Sequence, residues 1–352
     1  ALEDSGSVTA RSGWQPQHLS VESAGGAILA CAPLYLKEHS YGEYVFDWGW
    51  ANAYERAGGS YYPKLQCSVP FTPATGPRFL VRRDWTPEKA GGLKRMLLGG
   101  MIELADRLDV SSLHITFQDD DDIAITANAG LLQRIGQQFH WKNENYESFD
   151  AFLEALSSRK RKNIRKERDK AHSSGIKIYP VTGSELSTSH WDAFYRFYSM
   201  TSDRKWGQAY LTRSFFDLLS ERMADQIVLF MGEEDGELVC GAFNLLGGDT
   251  LFGRNWGTVV HYPMLHFEVC YYQAIDFAIE HRLAWVEAGA QGPHKLQRGY
   301  MPRKTYSAHW IADGGFREAV RQYLDHEGRA IDEDVEAMAK LGPFKRTGNQ
   351  SS

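Results

Sequence analysis

Wound at about 100° per residue, the segment 148–174 lines up Phe149, Phe152, Leu153 and Leu156 on one stripe, and the spacing predicts an amphipathic helix. Further along, that stripe loses its apolar character and meets Lys160, Asn163, Ile164, Glu167 and Ala171, with Arg161, Arg165, Arg168 and His172 forming a second row beside it. A carboxylate is seldom buried unless paired, so Glu167 on a core-facing stripe predicts a bonded partner and a polar cleft along the second half of the helix. A second helix is predicted over 264–282, with Phe267, Tyr271, Tyr272, Ala274, Ile275, Ala278 and Ile279 on its apolar face. Glu268 lies in the middle of that face, in the first turn, while His266 falls on the opposite, more polar face. The following stretch, LAWVEAGAQGPHK, alternates as a strand, which sets Trp285, Glu287, Gly289 and Gln291 on one side and Val286 and Ala288 on the other.

Strand patterns alternate with helical ones throughout, which predicts an α/β fold with mixed sheets flanked by helices. Three landmarks recur in order. GGAILACAPLYL (25–36), YVFDWGWAN (44–52) and PFTPATGPRFL (70–80) are echoed by DGELVCGAFNLL (235–246), LFGRNWGTV (251–259) and VEAGAQGPHKL (286–296), and the order predicts an internal duplication with 25–36 equivalent to 235–246. The expected division is a first domain over 1–140, a second over 141–325 that carries the basic helix, and a charged helical tail over 326–352.

Composition narrows the function classes. At 352 residues the chain exceeds the ~250–300 at which one hydrophobic core stops growing, so two domains are expected. A net charge of −6 argues against generic nucleic-acid binding, DNA included, because that needs many spare cations. Yet SSRKRKNIRKERDKA places eight of the 39 basic residues in one short run, so any polyanion contact is local. Cys31, Cys67, Cys240 and Cys270 form no paired CxxC, there is no HExxH, and neither a disulfide framework nor a metal site is signalled. No apolar run reaches membrane-spanning length, which leaves only peripheral membrane contact, and a cytoplasmic location fits. The first residue is not Met, so the chain is expected to start inside a longer product.

The candidate chemistry follows from residue type. Arg161, Arg165 and Arg168 at i, i+4, i+7 suit the phosphates of a nucleotide carrier, which Arg holds bidentately. Glu268, Glu287 and His294 are the candidate bases for an amine, and Lys295 a candidate for an anionic group or a developing oxyanion. Gln291, facing the same way as Glu287, and Arg298 complete that group as binding residues. Among the aromatics of 35–65, Lys37, His39, Asp47, Trp50 and Arg56 are candidates for reading an acceptor.

SSRKRKNIRKERDKA, LHFEVCYYQAIDFAIEH and GAQGPHKLQRGYMP together resemble the bacterial N-acyltransferases described as peptidoglycan biosynthesis or recognition proteins, relatives of the Fem-type peptidyltransferases. The resemblance implies two tandem GNAT-like domains and transfer of an acyl or aminoacyl group from an activated carrier to an amine, the acceptor being a small molecule or a lipid or cell-wall precursor. No permanently bound cofactor is implied; acyl-CoA or another activated carrier is the co-substrate. RNWGTV (254–259) resembles the acyl-CoA loop of GNAT enzymes in Arg254 and Gly257 but departs from it at Val259, which puts coenzyme A itself in question. Two further readings stand beside this one: a Fem-type aminoacyl-tRNA-dependent ligase, which the net acidity counts against, and a non-catalytic module binding a cell-wall precursor or lipid amine.

Overall fold

A computed structural model describes residues 1–206, 209–289 and 292–345, the side chains of 203–206 excepted. The chain forms two compact units. One consists of Val8–Gln137 and Lys304–Val335, the other of Ala1–Ser7, Gln138–Arg303 and the chain from Glu336 onward. The second domain does not run to 325 as expected: Ser307–Ile311 pairs with Ser112–Thr116 in the unit that holds Val8–Gln137. The expected separate tail is corrected as well. A single helix runs from Gly314 to Lys340, and its Val320 and Leu324 bury against Trp50, Tyr61 and Ile311.

In the first unit, Trp14–Pro16, Tyr35–Lys37 and Lys64–Cys67 pair antiparallel in that order, and Lys64–Cys67 then pairs parallel with Ser112–Thr116. A separate sheet joins Leu19–Glu22, Ile28–Ala32 and Leu80–Val81. The helix Pro87–Arg107 starts where Thr86 accepts from the Lys89 amide and proline occupies the first turn, where a missing N–H costs nothing. It buries Leu93, Leu97, Leu98, Met101 and Ala105, the period of one apolar face.

In the second unit, Lys177–Thr182, Ile227–Glu234, Glu237–Gly247 and Thr250–Thr258 form an antiparallel meander. Thr250–Phe252 then pairs parallel with Trp285–Glu287, and that short strand pairs antiparallel with His140–Lys142. The helical segment Leu265–Glu280 connects the parallel pair, its middle, Glu268–Tyr272, wound as a π-helix. Each unit is thus a mixed sheet flanked by helices. The particular correspondence of 25–36 with 235–246 is not recovered, because 25–36 is divided between two different sheets whereas Glu237–Gly247 is one central strand.

The predicted helix 148–174 is two helices, Phe149–Ala155 and Ser158–His172. Leu156 between them is extended and fully buried, bridged to Phe344, while the Ser157 amide donates to Pro343 O at 2.9 Å.

Candidate functional site

The basic helix Ser158–His172 supplies the first part of the site's surroundings. Glu167, half-buried, accepts from Arg298 Nε at 3.1 Å and Nη2 at 3.0 Å, and also from the Tyr272 hydroxyl. Glu268 is fully buried and accepts from Arg168 Nε at 3.2 Å, Arg168 Nη2 at 3.0 Å and Gln273 Nε2 at 2.8 Å, with His172 Nε2 at 3.3 Å. Arg168 also donates to Asp276 at 2.7 Å and lies over the Phe149 ring. The expected bonded partner of Glu167 is found, and Glu268 is paired as well. The same pairing corrects two assignments: both oxygens of Glu268 accept from structural donors, and Arg168 is a strut between helices, its Nε and Nη2 committed to Glu268 and Asp276. Arg165 pairs with Asp150 at an exposed 3.0 Å bridge, and Arg161 is half-buried with no carboxylate partner among the described residues.

A different arrangement stands at the end of the strand Trp285–Glu287. Its parallel pairing with Thr250–Phe252 stops at Glu287, and just beyond, the register between Glu237–Gly247 and Thr250–Thr258 slips, so that Phe243 faces Asn255 and Asn244 faces Gly253. Arg254 is the extra residue of this bulge, the kind of irregularity that re-aims a side chain beside a site. A cavity of about 90 Å³ opens there, lined by Asn244, Gly253, Arg254, Asn255, Tyr271 and Ala288 together with Trp256, His266 and Cys270. A second cavity of about 390 Å³ shares Trp256 and His266 with it and continues along Thr201, Thr258, Val260, His261, Tyr262 and Leu265. The π-helical turn helps to build the first cavity, since Cys270 and Tyr271 both reach it from consecutive positions.

Glu287 itself is largely buried. Burial raises its carboxyl to about 7 against the pull of Arg303 and Arg254. Its Oε1 lies 3.6 Å from His140 Nδ1, beyond hydrogen-bond range, and neither its Oε2 nor His140 Nδ1 has a hydrogen-bond partner among the described residues. His140 bonds Gln138 Oε1 through Nε2 at 3.1 Å, which puts the ring proton on Nε2 and a lone pair on Nδ1, facing the carboxyl. Burial lowers His140 to about 3, so the ring is neutral. A buried carboxyl that titrates near neutrality and keeps an oxygen uncommitted has the properties of a general base for an amine.

The remaining candidates divide. His294 is exposed and its Nε2 bonds the Tyr271 hydroxyl at 2.9 Å, which links it to the cavity; partial burial, Arg298 and Lys295 lower its pKa. Lys295 is buried and donates to Gly289 O at 2.9 Å, and burial brings it down to about 8. Arg298 is corrected from ligand-binding to structural, because it is spent on Glu167 and on His294 O at 2.8 Å and packs its guanidinium 3.5 Å over Phe267. RNWGTV is corrected from loop to strand. Gly257 is buried there because a Cβ would meet the Phe197 backbone at 2.2 Å, so the glycine admits the helix Thr188–Trp206 and not a phosphate. Gln291 lies outside the described residues.

In the first unit, Lys37 and Asp47 are both buried, which corrects their reading as acceptor contacts. Lys37 Nζ donates to Tyr41 O at 3.1 Å and sits 3.5 Å over the Trp14 ring, and burial lowers it to about 7. Asp47 accepts from Lys64 at 2.5 Å and Tyr61 at 2.7 Å; burial works to raise it, and Lys64 holds it below the usual carboxylate range. Trp50 is buried as well, His39 is half-buried and Arg56 is exposed.

Sequence reasoning missed Asn244, Asn255, Trp256 and Cys270, and it placed Tyr271 on the apolar face of its helix and His266 on the more polar face. The available signal was the strand pair itself: polar Asn244, Arg254 and Asn255 stand in two adjacent strands, the first of which has a buried centre.

A family model described as FemAB-like, peptidoglycan biosynthesis/recognition, matches residues 1–346. None of the curated proteins matches the chain. Solved structures do. L-PGS from Bacillus licheniformis is similar at 11% identity and TM-score 0.54, over 92% of this chain and 94% of that one. FemX is similar at 11% identity and TM-score 0.51, over 89% and 92%. The C-terminal domain of a putative lysylphosphatidylglycerol synthetase from Agrobacterium fabrum is similar at 10% identity and TM-score 0.55, over 88% and 87%. At such identities the likeness is one of fold.

Proposed function

This chain belongs to the FemAB-like family of peptidoglycan biosynthesis/recognition proteins, and from that premise we propose that it transfers an acyl or aminoacyl group from an activated carrier to an amine. The observation that carries the reading is Glu287, a buried carboxyl raised to about 7 with one oxygen uncommitted among the described residues, next in sequence to Ala288 of the cavity lining. In the reaction, the acceptor amine attacks the carbonyl of the carrier ester or thioester, ionised Glu287 takes the ammonium proton, and the carrier leaves as the intermediate collapses. Tyr271, held protonated by burial and bonded to His294, supplies a proton to the departing carrier atom. Acyl-CoA is the co-substrate of first choice, and a small or lipid-linked cell-wall amine the acceptor. A carrier RNA is the second reading, favoured by the outer row Arg159, Lys162, Lys166 and Lys170, which is exposed.

The test is incubation of the protein with a panel of acyl-CoAs, with native mass spectrometry for bound carrier and release of free thiol in the presence of amines as readouts. Turnover that falls at least a hundredfold in Glu287→Gln, with carrier binding retained, is the expected result. Ligand binding without turnover from any donor, in wild type and variant alike, would establish a binding module in place of an enzyme.

A further inference from the structure

The register of the sheet sets a second titratable side chain against the base. In the antiparallel pairing of His140–Lys142 with Trp285–Glu287, His140 stands directly across from Glu287. Side chains opposite each other leave the same face of a sheet, their Cβ atoms ~5 Å apart. His140 is 4% exposed. Gln138, two residues earlier and on that same face, is buried too, and its Oε1 lies 3.1 Å from His140 Nε2. An amide oxygen only accepts, so the ring hydrogen is committed to Nε2 and Nδ1 carries a lone pair. That lone pair faces Glu287 Oε1 at 3.6 Å, and Nδ1 has no hydrogen-bond partner among the described residues.

Two acceptors set against each other out of water repel unless one of them gains a hydrogen. The imidazole is the poorer place for it, since Arg303 of the strand Met301–Ile311 and Lys295 of the turn Pro293–Arg298 both oppose a cation there. The carboxyl is the better place, although Arg303 and Arg254 of the strand Thr250–Thr258 favour its ionised form. Its Oε2 is closed to solvent, so the 12% of the side chain that stays exposed lies elsewhere, and Oε1 is the oxygen left to meet an incoming ammonium. We infer that His140 is a positioning residue for the base: with its tautomer fixed by Gln138, it presents the Nδ1 lone pair to Oε1 and holds the hydrogen that Glu287 has taken up. In the step, an N–H bond of the attacking amine's ammonium breaks with its electron pair left on nitrogen, and an O–H bond forms on Oε1. The new hydrogen turns to Nδ1, which it reaches once the side chains close by roughly 0.5–1 Å. Ammonium and carboxylate end neutral and the imidazole stays neutral, so no unpaired charge is left in the buried site. The use of this pair in turnover rests on the transferase reading; the pairing itself does not.

Two measurements on the whole chain separate those claims. The first is a pH titration of the Glu287 carboxyl carbon by NMR in glutamate-labelled protein without substrate, the resonance being assigned by its absence in Glu287→Gln. His140→Phe keeps a ring but removes the lone pair, and the midpoint is expected about one pH unit below wild type, the loss of one hydrogen bond to the protonated carboxyl. Gln138→Leu retains both members of the pair and frees the ring hydrogen to move to Nδ1, where it donates to the carboxylate, so the midpoint falls here as well. Nitrogen resonances of labelled histidine show the hydrogen on Nε2 in wild type, a readout that stands even where a variant fails to fold. The second measurement is the pH profile of kcat/KM with the acyl-CoA panel, whose acidic limb moves down with the carboxyl midpoint in each variant; a residue that only fills space would lower the plateau and leave the limb in place. If the carboxyl midpoint falls but no acyl-CoA is turned over by any form, the transferase reading fails and the pair stands. A midpoint unmoved in both variants, or a wild-type ring protonated on Nδ1, overturns the inference, and loss of turnover in Glu287→Gln would then leave Glu287 as a base that acts without His140.

Discussion

Two glutamates of the second unit, Glu268 and Glu287, are both withdrawn from water, and they differ in what answers their oxygens. Glu268 sits in a cage of Arg168, Gln273 and His172, with Asp276 sharing the arginine. Glu287 has a neutral imidazole at 3.6 Å and an oxygen with no partner among the described residues. Burial alone therefore does not distinguish a structural carboxylate from a reactive one; the count of fixed donors does. The oxygens of the caged carboxylate are answered by fixed donors, whereas Glu287 sits close to the balance between its two protonation states.

The largest effect expected from this contrast is on catalysis. Glu287→Gln keeps the shape and removes the base, so kcat falls a hundredfold or more while the melting temperature changes little. Glu268→Gln, by contrast, keeps kcat within about threefold in the protein that folds. Equal losses in steady-state rate for the two variants would break the comparison.

Stability gives the mirror image. Arg168→Ala leaves Glu268 fully buried beside Asp276 with its main cation gone. Breaking a buried pair in this way costs about 3–5 kcal/mol, which lowers the melting temperature by roughly ten degrees in a domain of this size. Thermal melts of the two variants side by side check it: a destabilised Glu287→Gln with an unaffected Arg168→Ala would invert the assignment.

The third effect is one of pH. Glu287 rises from an ordinary 4.5 to about 7 in the folded protein, so between those values the folded chain holds a proton that the unfolded chain has released. Its contribution is fully present below about 4.5 and is lost as pH rises through about 7, by at most about 3 kcal/mol. His140, lowered to about 3, runs the other way, but it is present in both proteins. The difference in unfolding free energy between wild type and Glu287→Gln should therefore decline from pH 4.5 to 7 and then level off, while kcat/KM of the wild type rises through the same interval as the base ionises. A difference that is flat across this range would place Glu287 among ordinary carboxylates.

What the sequence disclosed follows the same physics. Period-3.6 and period-2 patterns located the helices that bury Glu268 and the strand that carries Glu287, because those patterns record which side faces a core. The paired state of Glu167 and Glu268 was legible for a related reason: an isolated buried charge is too costly to keep. The partners were not legible, since Arg168 and Arg298 reach their carboxylates across 100 and 131 positions of sequence. Nor was the cavity, which arises from a one-residue bulge at Arg254 and from a parallel pairing that ends early at Glu287, and register leaves no mark in residue type. The exchange of Lys304–Val335 into the first unit was equally hidden, because a strand's pattern shows that it pairs and not with which partner.

The smallest effect concerns the basic run and separates its three arginines. Arg168 serves the cage, Arg165 is held by Asp150 in an exposed bridge, and Arg161 alone has no carboxylate among the described residues. Exposed ion pairs are worth under about 1 kcal/mol, so Arg165→Ala should shift the melting temperature by no more than a few degrees and leave the donor KM within twofold. Of these three arginines, Arg161 is the one open to a phosphate-bearing carrier. Its replacement by Ala should raise donor KM about tenfold, the loss of one charge-assisted hydrogen bond, and raising the ionic strength should weaken donor binding in wild type more than in the variant. An Arg161→Ala protein with unchanged KM and unchanged salt dependence would mean that the carrier's charge is met elsewhere, and that this helix spends its cations on holding the carboxylates of its own neighbours.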